Sequence, residues 1–389
     1  MTRALALVAA FSIWSGGRTA LATEESQSSL TPHTLKVNSA VGDVSLSPDG
    51  RRIAVVVDKV SPKGSEDKKI TVEIQIWEWA SDTLVLHKSL FEQPYVKAAA
   101  RPRPGFIRYN EAGDKLVVFQ RDGRLLAVNA ATLDIVHEIE TGKHAMDMAI
   151  DSRGLRAAVL SKDEVSAYDL SSGRLLRTWP VPTQIRTGSI SVSPSGDELV
   201  LGFESFVPGE RKFRSGEQNV FVYQMDSGQQ LTAISAGYLV GTVRLTPDHT
   251  LVTVSGDDTR NRNNRHPMKI WDARSGKLLR EIQNPDEGIH HVLEVSEDGR
   301  IAAAGIGLTV SKPAFLWLEG VTIHKNDRLR FWNLATGDVL ATTPALSSEF
   351  AGSARLSRDG RVAAAFAVNS GSILLFEVPV APSKTGLTH

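Results

Sequence analysis

Short apolar runs bounded by polar turns set the rhythm of this chain. Ile53-Ala54-Val55-Val56-Val57 and Val362-Ala363-Ala364-Ala365-Phe366 are continuously apolar, the pattern of strands packed on both faces. A turn of the Ser-Pro-Asp-Gly type stands ahead of such runs seven times, at 47–50, 111–114, 151–154, 193–196, 246–249, 296–299 and 357–360. Proline at Pro48 or Pro194 presets φ for the first corner, and Gly50 or Gly196 accepts the positive φ that closes the turn. A later strand in each unit ends in a large apolar residue followed by a polar one: Trp77-Glu78, Val128-Asn129, Tyr168-Asp169, Tyr223-Gln224, Trp271-Asp272, Trp332-Asn333 and Phe376-Glu377. Gly173, Gly228, Gly276 and Gly337 then serve a second tight turn.

Each unit therefore reads strand, turn, strand, loop, strand, turn, strand. In the fifth, the strands are expected over 242–245, 251–254, 269–272 and 277–282. A unit of about 40 residues with four short strands cannot bury its own faces and must stack on copies of itself, which predicts an all-β, seven-bladed β-propeller. The last unit is incomplete, because the strand over 372–378 runs into Pro379 and Pro382 and proline does not extend a ladder. The strand-like segment His33-Thr34-Leu35-Lys36-Val37 is expected to supply the missing outer strand and so close the ring. The propeller thus occupies 33–378, after a segment over 23–32 and before a tail over 379–389.

Residues 1–22 read as an export signal: Thr2-Arg3 is the basic start, Ala4 to Trp14 the apolar run, and Ala20-Leu21-Ala22 the small-residue cleavage site. The run falls short of the roughly 20 residues a bilayer span needs, so no membrane span is expected after cleavage and the mature protein is placed in the periplasm or outside the cell. The chain has no cysteine, which excludes a disulfide framework and a thioether-linked lipid anchor. Lys and Arg number 44, as do Asp and Glu, so no overall field draws the protein to nucleic acid.

The stretch Lys269-Ile270-Trp271-Asp272-Ala273-Arg274-Ser275-Gly276-Lys277-Leu278-Leu279 resembles the third-to-fourth strand signature of WD-repeat propellers, and Leu329-Arg330-Phe331-Trp332-Asn333-Leu334-Ala335-Thr336-Gly337 is similar. The resemblance runs over about 33–378. It departs in that no unit carries the Gly-His dipeptide of that family and only the fifth has the full Trp-Asp. The Ser-Pro-Asp-Gly turn is also shared with exported propellers of the Tol-system and quinoprotein-like kinds.

Departures from the repeat point to one face. Gly113 to Gly154 is a step of 41 residues and Gly154 to Gly196 one of 42, whereas Gly50 to Gly113 takes 63 and Gly299 to Gly360 takes 61. Extra residues lie between second and third strands at 59–69, 204–218, 257–267 and 305–327, and in the linker 93–104. Propeller topology sends all of these to the same side of the disc, as a binding surface on a rigid scaffold would require. They carry Arg101 and Arg103 in the linker, Arg211, Lys212 and Arg214 in blade four, and Arg260, Arg262 and Arg265 in blade five. Such a basic arc suits an acidic partner segment or an anionic glycan. Phe315 and Trp317 in blade six are either an exposed hot spot or the apolar side of a hairpin folded onto the disc.

His266, His290, His291 and His324 fall on the same side but show no tight metal-ligand spacing. The chain contains no Gly-x-Ser-x-Gly elbow, phosphate-binding glycine loop or cysteine nucleophile. The expectation is therefore a non-catalytic, monomeric platform for an unidentified protein partner, with no cofactor or metal. The alternatives are a quinoprotein- or amine-dehydrogenase-like subunit with its reactive centre at the mouth of the axial channel, and an envelope glycan-binding protein.

Overall fold

The computed structural model describes residues 30–61, 69–94, 105–120, 123–142, 145–181, 185–205, 218–255, 267–283, 288–311, 322–346, 353–366 and 370–379. They form seven four-stranded antiparallel sheets arranged as the blades of a propeller. Blade one is β2 (Ala40–Leu46), β3 (Arg52–Val60), β4 (Lys69–Glu78) and β5 (Thr83–Pro94); blade two is β6 (Phe106–Tyr109), β7 (Lys115–Phe119), β8 (Arg124–Asn129) and β9 (Ile135–Glu140). Blade three is β10 (Asp147–Ile150), β11 (Arg156–Leu160), β12 (Glu164–Asp169) and β13 (Arg174–Pro180); blade four is β14 (Ile185–Val192), β15 (Glu198–Ser205), β16 (Val220–Gln224) and β17 (Gln230–Ile234). Blade five is β18 (Val240–Leu245), β19 (Thr250–Ser255), β20 (Met268–Asp272) and β21 (Leu278–Ile282); blade six is β22 (Gly288–Val295), β23 (Ile301–Ser311), β24 (Thr322–Asn333) and β25 (Val339–Thr342). Blade seven combines β26 (Ala354–Leu356), β27 (Val362–Phe366) and β28 (Ser372–Glu377) with β1 (His33–Lys36).

The N-terminal strand closes the ring as expected. β1 runs antiparallel to β28 from His33 opposite Leu375 to Lys36 opposite Ser372. Leu35 is wholly buried, in a cluster with Val55 and Val57 of blade one and Phe366 and Ile373 of blade seven. At the strand's start, the His33 ring lies edge-on to Trp79 at 5.7 Å and contacts Asp82 Oδ1 at 2.9 Å. Trp79, in a short 3-10 turn, donates to the Gly50 carbonyl at 2.7 Å.

Packing follows from the apolar second strands. Every residue from Ile53 to Val57 has zero exposure, because β3 has a blade on each side. The core is accordingly divided into clusters shared by neighbours: Ala54, Val56 and Ile74 of blade one meet Ile107, Leu116 and Val118 of blade two, and equivalent clusters join each further pair around the ring. Alanines on second strands stand opposite the large residues that end the third, as in Ala157 with Tyr168, Ala302 with Trp332 and Ala363 with Phe376. These small partners leave room for the rings to interdigitate with the next blade.

The two sequence phrases are two hydrogen-bonded turns. In the first, the amide of Gly50 donates to the Ser47 carbonyl at 2.8 Å, the Ser47 hydroxyl donates to Asp49 at 2.6 Å, and the amide of Arg52 returns to Ser47 Oγ at 2.9 Å. Blades six and seven repeat this with Ser296-Asp298 and Ser357-Asp359. In blade two the turn is one residue earlier than the sequence phrase, at 110–113: Gly113 N–H reaches the Asn110 carbonyl, and the Asn110 side chain takes the serine's role by accepting from Lys115 N–H. In the second phrase, the polar residue after the aromatic is an acceptor for the turn that follows. Asp272 Oδ1 receives the Ser275 amide and hydroxyl, both at 2.7 Å; Asp169 likewise receives the Ser171 amide and hydroxyl, and Asn129 and Asn333 each accept two backbone amides of their turns.

A β-bulge accompanies that turn in blades one to six, each time just before the large apolar residue of the phrase, as at Ile76/Trp77 and Ile270/Trp271. The extra outer-strand residue turns successive apolar side chains outward, which exposes the pairs Leu84-Val85, Ile135-Val136, Leu175-Leu176 and Leu278-Leu279. In blade seven no turn links β28 to β1, and their register is unbroken. In blade five, where the WD-repeat resemblance is fullest, Trp271 Nε1 donates to Thr253 Oγ1 at 3.1 Å and that hydroxyl lies 2.7 Å from the Tyr238 hydroxyl. A buried tyrosine thus ends the polar chain in a unit that lacks the Gly-His dipeptide.

Candidate functional site

All ten side chains expected to meet a partner, Arg101, Arg103, Arg211, Lys212, Arg214, Arg260, Arg262, Arg265, Phe315 and Trp317, lie outside the described residues, as does His266. The strands that carry these segments are described. β3 and β4 stay paired out to Val60 opposite Ile70, and β23 and β24 out to Ser311 opposite Thr322. These strands have 9, 10, 11 and 12 residues, against 5 and 6 for β7 and β8 in the bare second blade. Much of the blade-six insertion is therefore a hairpin extension rather than a loop; His324 falls in it, opposite Thr309. His290 and His291 fall in β22. On the extended part of blade one, Glu73 accepts from Lys59 Nζ at 2.7 Å and from the Gln75 amide at 2.8 Å. Burial works to raise its pKa, and these two donors outweigh it, so the carboxyl is held below its ordinary value.

Polar side chains gather at the axis, on the inner strands. An inner strand in a propeller meets its neighbour at a splayed angle, so its backbone cannot complete a ladder, and buried amides need another partner. Side chains of the preceding blade supply it. Asp43 Oδ2 accepts from the Ile107 amide at 3.0 Å and Ser45 Oγ from Tyr109 at 2.9 Å. Asp147 Oδ2 accepts from Ile190 at 3.0 Å, and Ser191 Oγ from Leu245 at 3.0 Å. The blades are stitched in one rotational sense.

Longer side chains fill the middle. Arg108 donates to Asp43 Oδ2 at 2.6 Å and Arg355 to Asp43 Oδ1 at 2.8 Å, so one carboxylate joins blades one, two and seven. Arg244 donates to Glu294 Oε2 at 3.0 Å, and an Arg355 nitrogen lies 4.0 Å from the same oxygen. Burial pushes Glu294 up, but Arg244, Arg355 and Arg108 together hold it below the ordinary carboxylate range. Burial and the neighbouring Arg108 press the Arg355 guanidinium down despite Asp43 and Glu294. Beside them is a cavity of about 140 Å³ lined by Arg108, Ser191, Arg244, Glu294, Ser296 and Glu297 among others. That is well below the roughly 300 Å³ at which cofactor-sized pockets begin. At its mouth Arg358 of blade seven bonds Glu111 of blade two and lies 3.8 Å from Glu297 of blade six. Burial pushes the Glu297 carboxyl up to about 7 against the pull of Arg358.

The turn and strand phrases of the repeat do not announce this axial set. The available signal was positional: Ser45, Ser191, Arg244, Glu294 and Arg355 each stand two residues before the turn phrase and Arg108 three before it, with Asp43 and Asp147 four before theirs. Polar residues at alternate inner-strand positions mark a side that faces the axis. Among the described residues no three His, Asp or Glu side chains converge as metal ligands would. Compared with models of known protein families and with characterised proteins, the chain matches none.

Proposed function

We propose that this protein is an exported, non-catalytic, WD-repeat-like platform that binds a protein partner through the end of the disc bearing its insertions. The observation that carries the reading is the extension of β3–β4 and β23–β24 beyond the blade body at the end from which the second-to-third connections leave. A rigid ring of cross-packed blades holds those extensions in fixed relative positions, and such preorganisation lowers the ordering cost of binding. The axial charges are already spent on one another and on neighbouring amides, which leaves the rims for recognition. The test is charge reversal at Arg211, Arg214, Arg262 and Arg265 in the full chain: co-purification of the partner from the native envelope should be lost while melting is unchanged. A partner that remains bound to the reversed protein refutes the basic arc.

A further inference from the structure

The opposite face of the disc, built from the inner-to-second strand turns, carries one irregular turn. At the closing position, Gly50, Gly113, Gly154, Gly196, Gly299 and Gly360 have φ between 63° and 80°, and the seventh turn places His249 there at φ 62°. This left-handed conformation is unfavourable for a residue with a Cβ, and a side chain kept there is a pointer to a role. The imidazole is held on both sides. His249 Nδ1 lies 2.8 Å from Glu198 Oε2, and Arg274 Nη2 lies 2.9 Å from His249 Nε2. Because a guanidinium can only donate, Nε2 is the acceptor and Nδ1–H donates to Glu198. Arg274 Nε also donates to Glu198, at 3.1 Å.

Glu198 is buried, with its side chain 5% exposed, whereas that of Arg274 is 62% exposed. One edge of the guanidinium is thus locked to a buried carboxylate and an imidazole, and the other is presented to solvent as a fork. It opens into a groove of about 780 Å³ between the turns of blades two to five, lined also by Arg153, Ser152, Ser193 and Ser195. Arg153 is fixed in turn, by donating to the Ser195 carbonyl at 3.1 Å. Of the acidic residues lining the groove, Glu111 is engaged by Arg358 and Asp197 is exposed.

We propose that this groove is a binding site for a ligand bearing two or more carboxylates, with Arg274 and Arg153 as its two anchors and His249 as the positioning residue that aims Arg274. Planar guanidiniums that are preoriented bind carboxylates bidentately and with less loss of entropy than free ones. The carboxylates could belong to a free polycarboxylic acid or to an acidic peptide, and the experiment has an arm for each. The site is separate from the insertion-bearing end and does not depend on it.

The test is calorimetric titration of the full chain with citrate and, separately, with an oligoglutamate peptide, at low salt. At least one should bind, and Arg274→Gln or Arg153→Gln should weaken it about tenfold or more, as expected for loss of a charge-assisted pair. Binding of citrate identifies the small-acid form of the site, and binding of the peptide alone identifies the polypeptide form. His249→Gly removes the strained residue, so its melting should stay within about 2 °C of the parent while binding weakens. Charge reversal at Arg262 and Arg265 should leave the titration unchanged. The proposal is overturned if neither probe binds, or if binding survives both arginine substitutions.

Discussion

Truncation of Leu35 tests whether the N-terminal strand is a structural member of the last blade. Leu35 has no exposed surface and packs between blade one and blade seven, while the next residue, Lys36, points to solvent on the same strand. A fully buried Leu→Ala change costs about 2–5 kcal/mol, and we expect about 3 kcal/mol for Leu35→Ala. Lys36→Ala should stay within about 0.5 kcal/mol, as exposed substitutions usually do. In urea unfolding followed by tryptophan fluorescence and circular dichroism, with a slope near 3 kcal/mol/M, that loss is a midpoint shift of about 1 M. Amide exchange offers a second readout, because Val37 and Val41 N–H bond to Gly371 and Ser370 carbonyls at 2.8 Å and should lose protection together. Deletion of 31–37 should be far worse than either substitution, since it strips β28 of its outer partner and opens a sheet edge. Equal midpoints for Leu35→Ala and Lys36→Ala would refute closure by this strand.

Asp43→Ala should cost about 3–5 kcal/mol, because it leaves two buried guanidiniums and the Ile107 amide without their shared acceptor; a loss below about 1 kcal/mol in the same assay refutes the axial pairing. Burial pushes Asp58 up from 3.8 to about 6, so the folded state holds a proton that the unfolded state releases, and stability falls as pH rises from about 4 through 6. Asp58→Asn should remove that slope and be the more stable form at pH 8 by on the order of 2 kcal/mol, with no advantage at pH 3.5; urea midpoints at the two pH values decide it. Glu73 and Glu294 act in the other direction, since their lowered values give stability that is present above 4.5 and lost as pH falls further. Gly202→Ala would set a Cβ 2.4 Å from Val243 Cγ1 and 2.7 Å from Val240 Cγ1, and overpacking at this blade interface should cost about 1–3 kcal/mol. Unchanged melting of that variant would show that blades four and five are less tightly seated than these contacts require.

The fold was legible because its local signals agree with one another. Each third strand ends at the residue the sequence phrase names, from Glu78 in β4 to Glu377 in β28, since the aromatic must be buried and the polar residue must accept the next turn. The blade-two turn was displaced by one residue because Asn110 substitutes for serine, and amide and hydroxyl acceptors are interchangeable in that geometry. The bulges were not legible, because no single residue type announces them. The axial network was invisible for a different reason. Asp43 contacts Arg355, 312 residues away, and only closure of the ring makes them neighbours. The insertions were readable as breaks in spacing, but what their side chains recognise depends on arrangements that repeat arithmetic does not describe.

The distribution of polar residues separates what holds this ring from what it offers. Around the axis, oxygen acceptors answer amides and guanidiniums at fixed positions, so the charge there is consumed internally, and a burial cost would follow if any member were removed. On the turn face the same repeat position is occupied by glycine in six blades and by His249 in the fifth, where closing the turn alone would favour glycine. His249, Glu198 and Arg274 form a network that the repeat does not require: one buried carboxylate orients an imidazole and an exposed guanidinium. A repeat protein keeps its stability in the features every unit shares, so a polar group that is specific to one unit, held rigidly and left facing a groove, is where recognition on this face has its physical basis.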